Sequence, residues 1–271
     1  MATQTLPPKD YENNPFFIAT KGLSLLFNFA QGVGIVLVIL SIGLSFSGGP
    51  SVPEDNNGNP APDQITQTLS GWTPNEWITF VGAVTIIGAA IVLLAALFGG
   101  VSAYTSAQLA RGKRVALNDA FKVAFEHLWS FLWLQIIIFV KLLLWTLLFI
   151  IPGIIMSVRY SLASVAFFDK DLRGNAAIKE SLRLTKGAWI TTFAGNALLN
   201  YLTLGVISWV IATGSNAILY KQYSGLGENK PPAHWLSWLT LVLPFALMAL
   251  LLFFVIAILG VIASTGGKFS E

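Results

Sequence analysis

The chain has 271 residues, of which 55% are hydrophobic and 11% charged, and its mean hydropathy is +0.69. Soluble domains carry about 25% charged residues, so this composition suits lipid rather than water as solvent. The net charge of +3 comes from basic residues in short loops beside apolar runs, a pattern of membrane topology, and nucleic acid is not an expected partner. The absence of cysteine excludes disulfides, thiolate metal sites and a thiol nucleophile.

Residues 1–11 are polar with two prolines, and the first apolar run lacks a small-residue cleavage site, so the reading assigns no secretory signal peptide. Leu23 to Phe46 is long enough for a first span, since about 20 residues cross a hydrocarbon core. The loop 47–75 is rich in Gly, Pro and Asn, carries Glu54, Asp55 and Asp63, and has no Lys or Arg. It is therefore expected to face outward and is a candidate contact for a protein partner. Trp77 to Tyr104 forms the second expected span, followed by a cytoplasmic loop with Arg111, Lys113 and Arg114.

From Asn118 to Leu128 the pattern becomes that of a short amphipathic helix capped by Asn118, with Ala120, Phe121, Ala124, Phe125 and Leu128 on one face. Trp129 to Ile151 is the third expected span, Pro152-Gly153 an outer turn, and Ile154 to Phe168 the returning fourth. Asp169 to Gly187 repeats the surface-helix arrangement, with Asn175 as cap and Ala177, Ile178, Ser181, Leu182 and Thr185 on one face. Ala188 to Tyr220 is too long for one comfortable span and reads either as one tilted helix or as a hairpin near Leu204-Gly205.

A weak internal repeat of 57 residues, from Asn118 to Asn175 to Pro232, and the echo of Thr185-Lys186-Gly187 in Thr20-Lys21-Gly22 favour the hairpin. The expected fold is thus an all-α polytopic transmembrane bundle over 1–271. It has seven spans, alternatively six, ends in Trp235 to Ile262, and carries short amphipathic helices on the cytoplasmic surface.

Lys141 and Arg159 fall in the bodies of the third and fourth spans, where basic side chains are costly and face a protein interior or a wet cavity. No span carboxylate pairs with them, but Gln135, Asn196, Asn200 and Tyr160 are neutral candidates, and the two asparagines share a face at a spacing of four. Such a cavity would receive a phosphate, with Arg159 as a planar donor and Lys141 as a point charge; the same two residues can equally serve packing alone. Lys170, Arg173, Lys179, Arg183 and Lys186 are candidates for surface contact with anionic lipid, although ordinary positive-inside topology explains the same charges without any function and is the favoured reading. Gly99-Gly100 and the Gly32/Gly34 pair permit close helix approach and read as packing features. His127 and His234 lack partners at metal-ligand spacing and are expected at the membrane-water interface. No catalytic motif is present, so the chain is expected to be neither an enzyme nor dependent on a cofactor or metal.

At Pro152-Gly153-Ile154, Arg159, Ala176-Ala177-Ile178-Lys179-Glu180-Ser181, Leu184-Thr185-Lys186-Gly187 and Leu219-Tyr220-Lys221, the chain resembles the membrane domain attached to some bacterial glycerophosphodiester phosphodiesterases. The resemblance covers 116–225. It implies a lipid-associated membrane module and not phosphodiesterase activity, because the catalytic barrel of such proteins is a separate domain; the topology reading, with 47–75 outward, expects a cytoplasmic N-terminus in a prokaryotic cytoplasmic membrane. Two expectations follow. The chain binds or moves an anionic lipid or lipid-derived phosphate, or it is a scaffold subunit of a membrane complex without a ligand.

Overall fold

A computed structural model describes residues 11–46, 71–226 and 230–266, and the described residues form helices without strands. Helix α1 spans Pro15–Phe29 and α2 spans Gln31–Phe46. Asn14 starts α1: its side chain accepts from the Phe16 amide at 3.0 Å, and Pro15 follows where a missing N–H costs nothing. The first span read as Leu23 to Phe46 is therefore corrected. Its helix starts eight residues earlier and breaks at Ala30, whose φ of −143° is not helical. The Phe29 carbonyl at the break accepts from the Val115 amide at 2.8 Å, so the interruption leaves no orphan there.

Helix α3, Pro74–Ala110, starts with a reciprocal box in which Thr73 and Glu76 each bond the other's backbone amide. Trp72, Trp77 and Phe80 cluster edge-to-face around that start. The following turn leads to α4, Leu117–Glu126, which begins one residue before Asn118 and has no side-chain cap. Ala120 and Ala124 are buried as expected, Ala124 against Gly100, but Phe125 at the edge of the face is 69% exposed.

Helix α5 is Leu128–Leu148 and α6 is Ile150–Tyr160. The reversal lies at Phe149 alone, in extended conformation, and not at Pro152-Gly153. Pro152 instead occupies the first turn of α6, where its ring is tolerated. Gly153 lets α6 close on α5, for a Cβ there would stand 2.5 Å from Thr146 Oγ1. After a break at Ser161 and Leu162, α7 covers Ala163–Asp169. Helix α8, Asn175–Thr185, is preceded by Gly174 at φ +48°, so Asn175 opens the helix and does not cap it. Its buried face is Ala177, Ile178, Ser181, Leu184 and Thr185, with Leu184 in place of Leu182.

The ambiguous segment folds as a hairpin: α9 is Trp189–Leu202 and α10 is Ser208–Gly225, joined through Leu204 and Gly205, both at positive φ. Helix α11, Trp235–Gly266, contains Pro244. The echo between the two Thr-Lys-Gly triplets has no structural counterpart, since Gly187 sits in a turn at φ +76° while Gly22 lies inside α1.

Among the described residues four stretches are long and apolar enough to cross a membrane: Pro74–Ala110, Leu128–Leu148, Ile150–Asp169 and Trp235–Gly260. α1 and α2, at 15 and 16 residues, fall short of the usual spanning length, so the count of seven is not reached on length and composition. Large apolar side chains stay exposed along these stretches, as at Ile86, Leu147 and Ile150, which suits a protein solvated by lipid.

Helix α10 is the hub, touching α1, α2, α3 and α9. A Cβ on Gly22 would stand 2.4 Å from the Gly214 carbonyl carbon, and one on Gly214 would stand 2.3 Å from that of Gly22. Ser102 Oγ lies 2.6 Å from Thr213 Oγ1, and Ser106 Oγ donates to the Thr213 carbonyl at 2.9 Å, tying α3 to the same helix. Gly22→Leu should therefore separate α1 from α10 at a cost of about 3 kcal/mol. Gly43→Ala, with nothing within 4 Å of the new atom, should be neutral or slightly stabilising. Thermal unfolding in detergent compares the two, and equal melting temperatures would refute this account of the contact.

Candidate functional site

Charged side chains gather where α3, α7, α8 and α10 end. Arg111 Nε pairs with Asp169 Oδ1 at 2.6 Å, its guanidinium also reaches the Asp169 carbonyl, and Tyr220 donates to Asp169 Oδ2 at 2.8 Å. Lys170 Nζ bonds Glu180 at 2.7 Å, and Arg183 grips the same carboxylate through two nitrogens at 2.8 and 2.7 Å. Lys230 donates to the carbonyls of Arg183, Leu184 and Lys186, closing the end of α8, and lies over the Tyr223 ring. This layer is structural in character: its charges are spent on each other and on helix ends.

Of the five candidates for surface lipid contact, Lys170 and Arg183 hold Glu180, and Arg173 pairs with Asp171 and lies 4.4 Å from the centre of the Phe167 ring. Lys179 is exposed on the outer face of α8. Both histidines serve helix ends. His127 Nδ1 lies 3.0 Å from the Val123 carbonyl beside Phe167 and Phe168, and His234 Nδ1 accepts from the Leu236 amide at the start of α11. Gly99 and Gly100 face Phe131 and Ala124 across helix contacts, so they act in packing, as read.

Lys141 and Arg159 are both half-buried, and their side chains have no hydrogen-bond or ion-pair partner among the described residues. Because Gly153 meets Thr146 in the α5–α6 hairpin, the antiparallel register puts Lys141 level with Val158, next to Arg159. The Arg159 carbonyl accepts from Ser181 Oγ at 2.7 Å and from Thr185 Oγ1 at 3.3 Å. Arg159 thus lies at the level of α8, whose outer face carries Lys179, Glu180 and Arg183, closer to the charged layer than its place in the sequence suggests.

Among the grooves formed by the described residues, two stand out in the bundle, and neither is lined by Lys141 or Arg159. The first, about 540 Å³, runs between α1 and α10. Leu25, Phe29, Ala217, Ile218 and Leu226 make its apolar wall, Lys21 and Lys221 stand on it, and Tyr11, Ser24 and Asn28 add polar groups. Both lysines are exposed, and among the described residues neither has a protein partner and no carboxylate lines the groove. The Tyr11 hydroxyl is buried without a partner, and burial, then the neighbouring Glu12 charge, pushes it up to about 12, so it remains a donor.

The second groove, about 590 Å³, lies among α3, α5, α7, α9 and α10 and collects neutral polar groups, including Gln135, Asn200 and Asn216. Asn196, one helical turn before Asn200, donates to Asn216 Oδ1 at 3.1 Å. The expected grouping is therefore divided: the amides Gln135, Asn196 and Asn200 come together, while Lys141 and Arg159 sit apart from them. Tyr160 belongs to the apolar cluster around Phe131 and Phe167. The lysine groove was missed because Lys21 and Lys221 are 200 residues apart and each reads alone as a loop-proximal cation; the pair of glycines that joins their helices was the only available sign. The loop 47–75, proposed as a partner contact, lies outside the described residues up to 70. Among the described residues no group of three or more His, Asp or Glu is placed to hold a metal.

Comparison with protein-family models, with curated proteins and with solved structures found no match.

The Arg183 hydrogen bonds, assisted by Lys170 and opposed by partial burial, bring Glu180 from the ordinary 4.5 down to about 2. A carboxyl whose folded pKa is depressed contributes stability that is complete above its unfolded value and is lost as pH falls toward the folded one. Melting temperature should therefore drop between about pH 4.5 and pH 2, and Glu180→Gln should flatten that portion of the profile. An unchanged acid slope in the variant would show that Glu180 does not anchor α8.

Proposed function

We propose that the protein is an integral membrane protein that binds an anionic lipid or lipid-derived phosphate in the groove between α1 and α10, acting by binding and not by catalysis. The observation that carries this reading is a set of donors, Lys21, Lys221 and the Tyr11 hydroxyl, on a groove with an apolar wall and, among the described residues, no lining carboxylate. A phosphate needs cations and hydrogen-bond donors, and its acyl chains need the apolar wall; the groove supplies both on one face. The resemblance of 116–225 to a lipid-associated membrane domain supports the same class of ligand. Lys141 and Arg159, level with each other on the α5–α6 hairpin, form a second place where a headgroup can be held.

Native mass spectrometry of the full chain in mild detergent tests the assignment. Wild type should retain phosphatidylglycerol over phosphatidylcholine, and Lys21→Ala/Lys221→Ala should weaken that retention roughly tenfold to thirtyfold, from about 1 kcal/mol per cation. Both lysines are exposed and unpartnered, so the variant should fold normally. If Lys141→Ala/Arg159→Ala alone loses the lipid, the site belongs on the α5–α6 hairpin. If no variant changes retention, the chain is better read as a ligand-free scaffold subunit.

A further inference from the structure

The second groove differs from the first in chemistry. Its lining has hydroxyls and amides from several helices, among them Ser102, Ser106, Gln135, Ser164, Asn200 and Asn216, and it contains no Lys, Arg, His, Asp or Glu. Two amide oxygens are buried without a donor among the described residues: Oδ1 of Asn200, a lining residue, and Oδ1 of Asn196, one helical turn before it. Both nitrogens of that pair are used, Asn200 Nδ2 on the Asn196 carbonyl at 2.7 Å and Asn196 Nδ2 on Asn216 at 3.1 Å, which leaves the oxygens facing an unfilled demand. Gln135 Nε2 is held only by a 3.5 Å approach to Ser164 Oγ, at the limit of a hydrogen bond.

A buried acceptor without a donor is costly, so such oxygens mark where a donor belongs. An anion is disfavoured, because carbonyl oxygens repel it and no cation compensates. A bare alkali ion does not fill about 590 Å³, a volume within the range of roughly 300–1,000 Å³ typical of small-molecule sites. The break between α6 and α7 brings Ser161 and Ser164 to the lining, an instance of interrupted helices supplying polar groups inside a membrane bundle. Val92, Leu132 and Trp209 give the same groove apolar wall. We propose that this groove binds an uncharged, hydroxyl-bearing group, whose hydroxyls donate to Asn200 and accept from Gln135. The group can come from an uncharged lipid such as a diacylglycerol or from a water-soluble polyol.

The full chain in phosphatidylcholine nanodiscs distinguishes these sources through two probes, a photoreactive diacylglycerol and radiolabelled sorbitol. Binding of at least one is expected, with diacylglycerol alone identifying the lipid source and sorbitol alone the soluble one. Gln135→Leu/Asn200→Leu should weaken it roughly tenfold, the loss of about 1.4 kcal/mol in hydrogen bonding, while Lys21→Ala/Lys221→Ala should leave it unchanged. Because the chain has no cysteine, a Ser208→Cys variant provides a second readout that does not depend on the amide variant folding: the bound probe should slow maleimide labelling of that thiol. The proposal is overturned if neither probe binds, if the amide variant binds as wild type does, if Ser208→Cys labels at the same rate with and without probe, or if phosphatidylglycerol displaces the probe on equal terms.

Discussion

Helices in a bilayer gain little from burying apolar surface against one another, since lipid is as apolar as leucine, so their association depends on close backbone approach and on hydrogen bonds between them. In this protein that approach is made by Gly22 and Gly214, where α1 and α10 meet with no room for a side chain on either. Polar contacts add to it, beside the apolar packing of Val210, Ala217 and Leu219: Thr213 receives Ser102 and Ser106 from α3, and Ser215 Oγ donates to the Gly195 carbonyl of α9 at 2.9 Å. Both grooves border α10, one on its α1 side and the other on the side facing α3 and α9. The glycine contact therefore sets the spacing on which both depend.

The two grooves separate by charge. One places unpartnered cations over an apolar wall; the other places unpartnered neutral acceptors among hydroxyls. The carboxylates Asp169 and Glu180 are kept away from both by the arginines and lysines of the terminal layer. That layer explains why a chain with 16 basic residues shows so few free ones near α8.

Much of the helical order was legible from hydrophobic runs, because period and length survive whatever the tertiary packing does. The hairpin near Leu204-Gly205 was readable from excess length and from glycine, the residue that enters a left-handed turn without strain. Helix starts were less so. Asn118 and Asn175 resemble caps, yet neither caps its helix, whereas Asn14-Pro15 and the Thr73-to-Glu76 box carried the same kind of signal in plain view. The break at Ala30 was illegible because the Phe29 carbonyl beside it is satisfied by Val115, 85 residues downstream of the break, and no local pattern encodes such a partner. For the site, a spacing of four placed Asn196 and Asn200 together, but which helix faces Lys141 is decided by register between helices, and that depends on small contacts such as Gly153 on Thr146.

The reversal at Phe149 has a consequence for how the membrane meets this protein. Its amide donates to the Trp145 carbonyl and its own carbonyl accepts from Gly153, so both backbone groups of Phe149 are satisfied within the hairpin. The side chains around it, from Leu147 to Ile151, are all apolar and exposed. Side chains of this kind favour lipid over water as their neighbour. The α5–α6 pair therefore has one wholly apolar end, while its other end is tied to the charged layer, where the Arg159 carbonyl accepts from Ser181 and Thr185 of α8.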